Sequence, residues 1–165
     1  MTEPPIRITL TWPEIELGAK VGTMRLVHRR KTAMGNASRR PEHNAWTGEI
    51  EGAQAELAVA KHLGVFWSGT VGEPGAPSDV SCYQVRCNSS RKYEDTVLRP
   101  TDKPNRVYIS VLSYMPHFGI IGWLWGADGM CAEYEHPGEE GRPPCWFVPR
   151  DKLQPFSTLP VSGYR

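Results

Sequence analysis

Apolar and polar residues alternate near the start of the chain, then give way to a spacing of three and four. Ile6, Ile8 and Leu10 follow Pro4-Pro5 and predict a short extended arm over residues 1–10, an edge strand. Thr11 stands three residues before Glu14 with Pro13 between them, a capping-box pattern that predicts a helix from about Trp12 to about Lys31. Ile15, Ala19, Gly22 and Leu26 make its buried stripe. Gly18 and Gly22 each cost this helix about 1 kcal/mol relative to alanine unless another backbone packs closely there. Residues 32–47 are polar, contain Gly35, Asn36, Ser38 and Pro41, and read as a loop. Thr47 is positioned to cap a second helix, about Gly48 to Leu63, with Gly64 as its stop. That helix is rich in alanine, suited to lie close to a sheet, and carries Glu56 inside an apolar section.

Strand patterns follow. Val65-Phe66-Trp67 reads as a short extended piece, and the Gly/Pro-rich stretch from Gly72 to Pro77 excludes regular structure. The run Ser78 to Cys87 is extended, with Val80, Cys82 and Gln84 on one face and Tyr83, Val85 and Cys87 on the other. A bulge or turn between Asp79 and Gln84 would bring Asp79 onto the face of Gln84 and Arg86. Further strands are predicted at Thr96 to Arg99, at Arg106 to Ser113 with Val107, Ile109 and Val111 on one face, and at Phe118 to Trp125. Gly119 and Gly122 are candidate bulge positions in the last of these, which ends at Gly126-Ala127-Asp128-Gly129. Residues 130–144 are loop-like, Cys145 to Val148 is a final strand, and Pro149 to Leu153 is one helical turn. The chain from Pro155 onward is expected to be unstructured or loosely docked. Two helices followed by several strands predict an α+β domain, a central mixed sheet with the N-terminal helices packed on it. The divisions are an arm at 1–10, one domain at 11–156 and a tail at 157–165.

Composition changes this picture little. The formal net charge is +1, so the global field argues neither for nor against nucleic acid. The distribution says more. Between Leu17 and Pro41 stand Lys20, Arg25, Arg29, Arg30, Lys31, Arg39 and Arg40 with no acid. This is a phosphate footprint, with Arg91, Lys92 and Arg99 extending it, or else a solvated face balanced by Glu14 and Glu16. Trp123, Trp125 and Trp146 read as packing residues, with base stacking as the alternative. The absence of a secretory pattern and of a membrane-spanning apolar run leads to the expectation of a soluble intracellular protein with reduced thiols. A zinc site from Cys131, His136 and Cys145, or from Cys82 and Cys87, has against it the lack of a Cys-x-x-Cys pair and the opposite facing of Cys82 and Cys87.

The remaining polar residues suggest chemistry. Glu56 and Asp79 offer carboxylates, Gln84 an amide oxygen and Val85 a backbone carbonyl, all hard ligands for a divalent cation. Arg86 would stabilise charge on a phosphorane, and a metal-activated water would be the nucleophile. Each residue also has a plainer reading. Asp79 could cap a turn, Glu56 could pair with Lys61 or Arg86, and Gln84 and Arg86 could form a polar pair on a solvent face. Glu51 competes with Glu56 but lies about 140° around the helix, while Glu49 is two turns away on nearly the same face. Asp95 and Asp102 read as turn residues, and His62 and His117 as structural.

The order Glu … Asp … (Glu/Gln)-x-(Lys/Arg) resembles the PD-(D/E)xK nuclease superfamily. Glu51-Gly52-Ala53 with Glu56-Leu57-Ala58-Val59-Ala60-Lys61, the Pro77-x-Asp79-Val80 turn, Tyr83-Gln84-Val85-Arg86 and Gly122-Trp123 are similar to small phage-encoded members. The resemblance covers roughly Thr11 to Phe156. It implies a restriction-endonuclease-like core and Mg²⁺ or Mn²⁺ held by Glu56, Asp79, Gln84 and the Val85 carbonyl, with Arg86 in the lysine position. It further implies metal-dependent hydrolysis of DNA in the host cytoplasm, Arg25, Arg29, Arg30, Lys31, Arg91 and Lys92 tracking the backbone, and a homodimer for double-strand cleavage. Two departures stand out. Gln84 carries no charge, and Arg86 cannot act as a base. The alternative is a catalytically degenerate module of the same fold that binds nucleic acid or a host protein.

Overall fold

In the computed structural model the chain is described over residues 3–32, 42–72, 78–89, 94–138 and 143–163. β1 (Ile6–Thr9) is an edge strand, as its alternation predicts. The capping box then starts α1 (Trp12–Thr32): the Thr11 amide donates to Glu14 at 2.6 Å and the Glu14 amide to the Thr11 hydroxyl at 3.4 Å. α2 (Glu42–Leu63) begins earlier than the polar composition suggests, so Thr47 is an interior residue and not a cap. Ala45 is already buried there, and packing overrides weak propensity. The rest of the expected loop, 33–41, lies outside the described residues.

The main sheet has the order β1-β5-β4-β2, with β2 (Gln84–Asn88) parallel to β4 (Val107–Tyr114) and β5 (His117–Trp125) antiparallel to both β4 and β1. It is therefore mixed, and β2 is an edge strand of it. A second sheet, not anticipated, has the order β3-β7-β6, from Thr96–Leu98, Cys145–Val148 and Glu135–His136. Val65 to Trp67 forms no strand.

The two faces of the main sheet carry different layers. Val85, Val107, Ile109, Val111, Trp123 and Trp125 join the core that includes Ala53, Ala55, Ala58 and Val59 of α2. Leu98, Tyr108, Leu124 and Val148 form a second core, beside a hydroxyl pair at 2.7 Å between Thr96 and Ser110. The order of layers is thus α1, α2, main sheet, small sheet. The alanines of α2 let it lie close to the strands, while α1 makes its principal contacts with α2.

A register shift between Ser110 and Val111 leaves Ile121 as the extra residue of β5, next to Gly122. Gly122 has φ +146°, and a Cβ there would meet the Gln154 carbonyl oxygen at 2.7 Å. The chain passes that close because Trp123 and Gln154 exchange backbone hydrogen bonds at 3.0 and 2.8 Å. α3 (Gly126–Gly129) is a single turn at the end of β5. Pro149–Leu153 holds the expected helical turn, Arg150–Lys152.

The segment after Pro155 is not loose. Phe156 is buried in the main core, with the His62 ring centroid at 5.4 Å. The Trp123 indole donates to the Pro155 carbonyl at 3.0 Å, the Tyr83 hydroxyl to the Pro160 carbonyl at 2.6 Å, and the Val107 amide to the Gly163 carbonyl at 3.0 Å. Phe156→Ala is expected to lower stability by about 3 kcal/mol, read from the urea midpoint; an unchanged midpoint would mean that the segment contributes nothing to the fold.

Candidate functional site

Asp79 sits on a tight turn that replaces the first half of the expected strand. Val80 and Tyr83 face each other as an isolated bridge, and Ser81 adopts φ +53°, a left-handed conformation that serine rarely takes. The turn lays the Asp79 carboxylate along the outer edge of β2, where Oδ2 accepts a hydrogen bond from the Val85 amide at 2.8 Å.

Glu56 approaches from α2. Its Oε1 accepts from Arg25 Nη1 at 2.6 Å, and its Oε2 accepts from Arg25 Nη2 at 2.8 Å and from the Trp67 indole at 3.0 Å. The Arg25 Nε donates to the Thr70 carbonyl at 2.9 Å. One guanidinium thereby ties α1 to α2 and to the segment after Trp67. The pair is well shielded, with side-chain exposures of 19% for Arg25 and 8% for Glu56.

The electrostatics of this cluster are asymmetric. Burial raises the Glu56 carboxyl above its ordinary range, and the charge of Asp79 adds to this against the pull of Arg25 and Trp67. Burial likewise raises Asp79, opposed by the Val85 amide, Arg86 and Arg25. For Arg25, burial acts to lower the pKa, but Glu56 and then Asp79 outweigh it and hold the guanidinium above its usual value.

Gln84 and Arg86 lie on the other side of the sheet from Glu56. Gln84 is in register with Tyr108 and Arg86 with Ser110, the residues facing the small sheet, whereas Val85 and Cys87 face α2. Arg86 pairs with Asp102, donates to the Val85 carbonyl at 3.2 Å, and stands 5.0 Å over the Tyr108 ring. Asp102 also accepts from the Arg99 amide at 2.9 Å. Asp79, at the strand edge, feels Arg25 from one face and Arg86 and Asp102 from the other.

Glu51 keeps one buried carboxylate oxygen without a hydrogen-bond partner. It lies near Cys87, whose thiol is pushed far up by burial and then by Glu51 and Glu56. Glu49 pairs with Arg29. Burial, then the charges of Arg99, Arg30 and Arg25, lower the pKa of Arg29. Lys31 is exposed at the end of α1, and Arg91 and Lys92 lie outside the described residues. The main-chain carbonyl of Asp95 accepts from the Asn88 side-chain Nδ2 at 3.2 Å. His117 pairs with Thr9 at 2.9 Å on the edge opposite β2. Trp123 and Trp125 are buried edge to face at 6.0 Å, as packing residues.

Among the described residues, no three His, Cys, Asp or Glu side chains form a group that could hold an ion, the Cys131, His136 and Cys145 set included. The residues as arranged do not fit a resident divalent cation. Both Glu56 oxygens are engaged by Arg25 and Trp67, and Gln84 projects from the opposite face. Sequence reasoning missed the partnership of Arg25 with Glu56, the role of Trp67 and the pairing of Arg86 with Asp102. None has a local signal, since the partners are 31, 11 and 16 residues apart.

No family model, curated protein or solved structure matches this chain. Among the described residues, no helix is long and apolar enough to cross a membrane.

Proposed function

We propose that this chain binds the phosphate backbone of nucleic acid, DNA first, without a metal, as a catalytically degenerate module with a PD-(D/E)xK-like core. The observation that carries this reading is the run of basic residues ending α1, Arg29, Arg30 and Lys31, with Arg99 just after β3 near enough to act on Arg29. Arg25 and Arg29 are already paired with Glu56 and Glu49, and Arg30 and Arg99 are the cations that this reading offers to a phosphate chain. Binding of a fluorescent duplex is expected in EDTA and should weaken steeply with salt. Arg30→Gln and Arg99→Gln should each flatten the log–log salt slope by about one, whereas Asp79→Asn should leave it unchanged. Salt-independent binding, or none, would refute the proposal.

A second reading, metal-dependent hydrolysis by a phage endonuclease, is favoured by one observation. Glu56 and Asp79, far apart in sequence, are brought within electrostatic reach beside β2. Cleavage of the same duplex with Mg²⁺ or Mn²⁺, lost in Asp79→Ala and in EDTA, would replace the first reading with this one. Capture of a host protein with no affinity for DNA would leave neither.

A further inference from the structure

A buried carboxylate that stays ionised needs a cation, and this fold supplies one from its own chain. We propose that Arg25 is the resident counter-ion of the Glu56–Asp79 pair, standing in for a divalent cation and making the fold independent of metal.

Three observations carry the proposal. The first is the guanidinium's bonding, in which each nitrogen donates: Nε to the Thr70 carbonyl at 2.9 Å, Nη1 and Nη2 to the two Glu56 oxygens at 2.6 and 2.8 Å. A planar fork matched to a carboxylate is the geometry in which arginine holds an acid most firmly, and lysine cannot reproduce it. The second is position. Arg25 reaches Glu56 from a different helix and also acts on Asp79, so one charge serves acids from two elements. The third is the Trp67 indole at 3.0 Å from Glu56 Oε2. It leaves Glu56 with a donor on each side and fixes the carboxylate where Arg25 holds it.

The inference goes beyond the binding proposal, because it concerns what neutralises the acids and not what the arginine cluster recognises. It also accounts for the uncharged Gln84 and the committed Arg86. With Arg25 in place, the acid pair requires no further ligands for an ion.

Thermal unfolding of the full chain tests this with MnCl₂ and with EDTA as probes. The wild type should melt at the same temperature in both. Arg25→Gln should melt about 10 °C lower in EDTA, as expected for an uncompensated buried charge. It should recover part of that loss in MnCl₂. Arg25→Gln with Asp79→Asn should lose the recovery, which locates the effect at the pair. Arg25→Lys keeps the charge but not the fork. It should fold, melt between the two and respond weakly to Mn²⁺, so the test stands if Arg25→Gln does not fold. Stabilisation of the wild type by Mn²⁺ would overturn the proposal, and so would Arg25 variants indifferent to the metal. Neither result bears on DNA binding in EDTA, so the two proposals fail separately.

Discussion

Glu56→Ala lowers the stability of the fold by about 3–5 kcal/mol, the usual cost of removing one partner of a buried ion pair. The argument rests on what is left behind. Arg25 stays charged, since a guanidinium is not deprotonated in a protein, and its side chain is only 19% exposed. Deleting Glu56 strands two guanidinium nitrogens and the Trp67 indole without their acceptor. Chemical unfolding in urea reads the loss directly. Arg25→Ala together with Glu56→Ala should cost less than the sum of the single changes, by about 1–3 kcal/mol, because neither charge is then left alone. A Glu56→Ala protein as stable as the wild type would contradict this. It would mark Glu56 as an acid kept for chemistry at the expense of the fold, and would favour the endonuclease reading.

Gly22→Ala is the second large effect, and its sign is set by geometry. In an open helix the substitution gains about 1 kcal/mol of propensity. Here a Cβ would come within 2.5 Å of the Glu49 carbonyl oxygen and 2.6 Å of the Ile50 Cα. Both are backbone atoms of α2, so no side chain can rotate away and the helices must part. Overpacking of this kind costs about 1–3 kcal/mol and more when backbone must move; a net loss of about 2 kcal/mol is expected, rising for valine. Gly52→Ala is the control within the same helix pair. A Cβ there meets nothing within 4 Å, so stability should increase by about 0.5–1 kcal/mol. Opposite signs in urea midpoints confirm the close approach of α1 to α2; equal signs reject it.

The parts of the fold that were legible were those with local causes. The start of α1 follows from Thr11 and Glu14, which bond each other. The alternation of Val107, Ile109 and Val111 specifies β4 and its core face, and these residues do enter the main core. The run from Ser78 is expected to be extended, and a turn before Gln84 enters only as an option; the structure makes it a turn closed by the Val80–Tyr83 bridge, with the strand starting at Gln84. What was not legible depended on distant partners. Period-two alternation separates Gln84 and Arg86 from Val85 and Cys87, but it does not say which face the helices cover. The second sheet escaped notice because Glu135–His136 has no apolar pattern and pairs only through β7. The segment after Pro155 read as loose because its anchors are the Trp123 indole and the Tyr83 hydroxyl. The candidate site shows the same division. Its acids were visible as residue types in order, whereas the cation that neutralises them came from a helix read as a nucleic-acid face.

The docking of residues 160–163 has a consequence for synthesis. Tyr83 reaches Pro160 across 77 residues, and Gly163 closes on Cys82 through its amide and the cysteine sulfur at 3.2 Å. A ribosome adding about 5–20 residues per second delivers the second partner roughly 4–15 seconds after the first. During that interval α1, α2 and their arginine bridge can form, while the turn that bears Asp79 lacks its clamp. The nascent chain therefore acquires its scaffold before it acquires a rigid acid at the edge of β2.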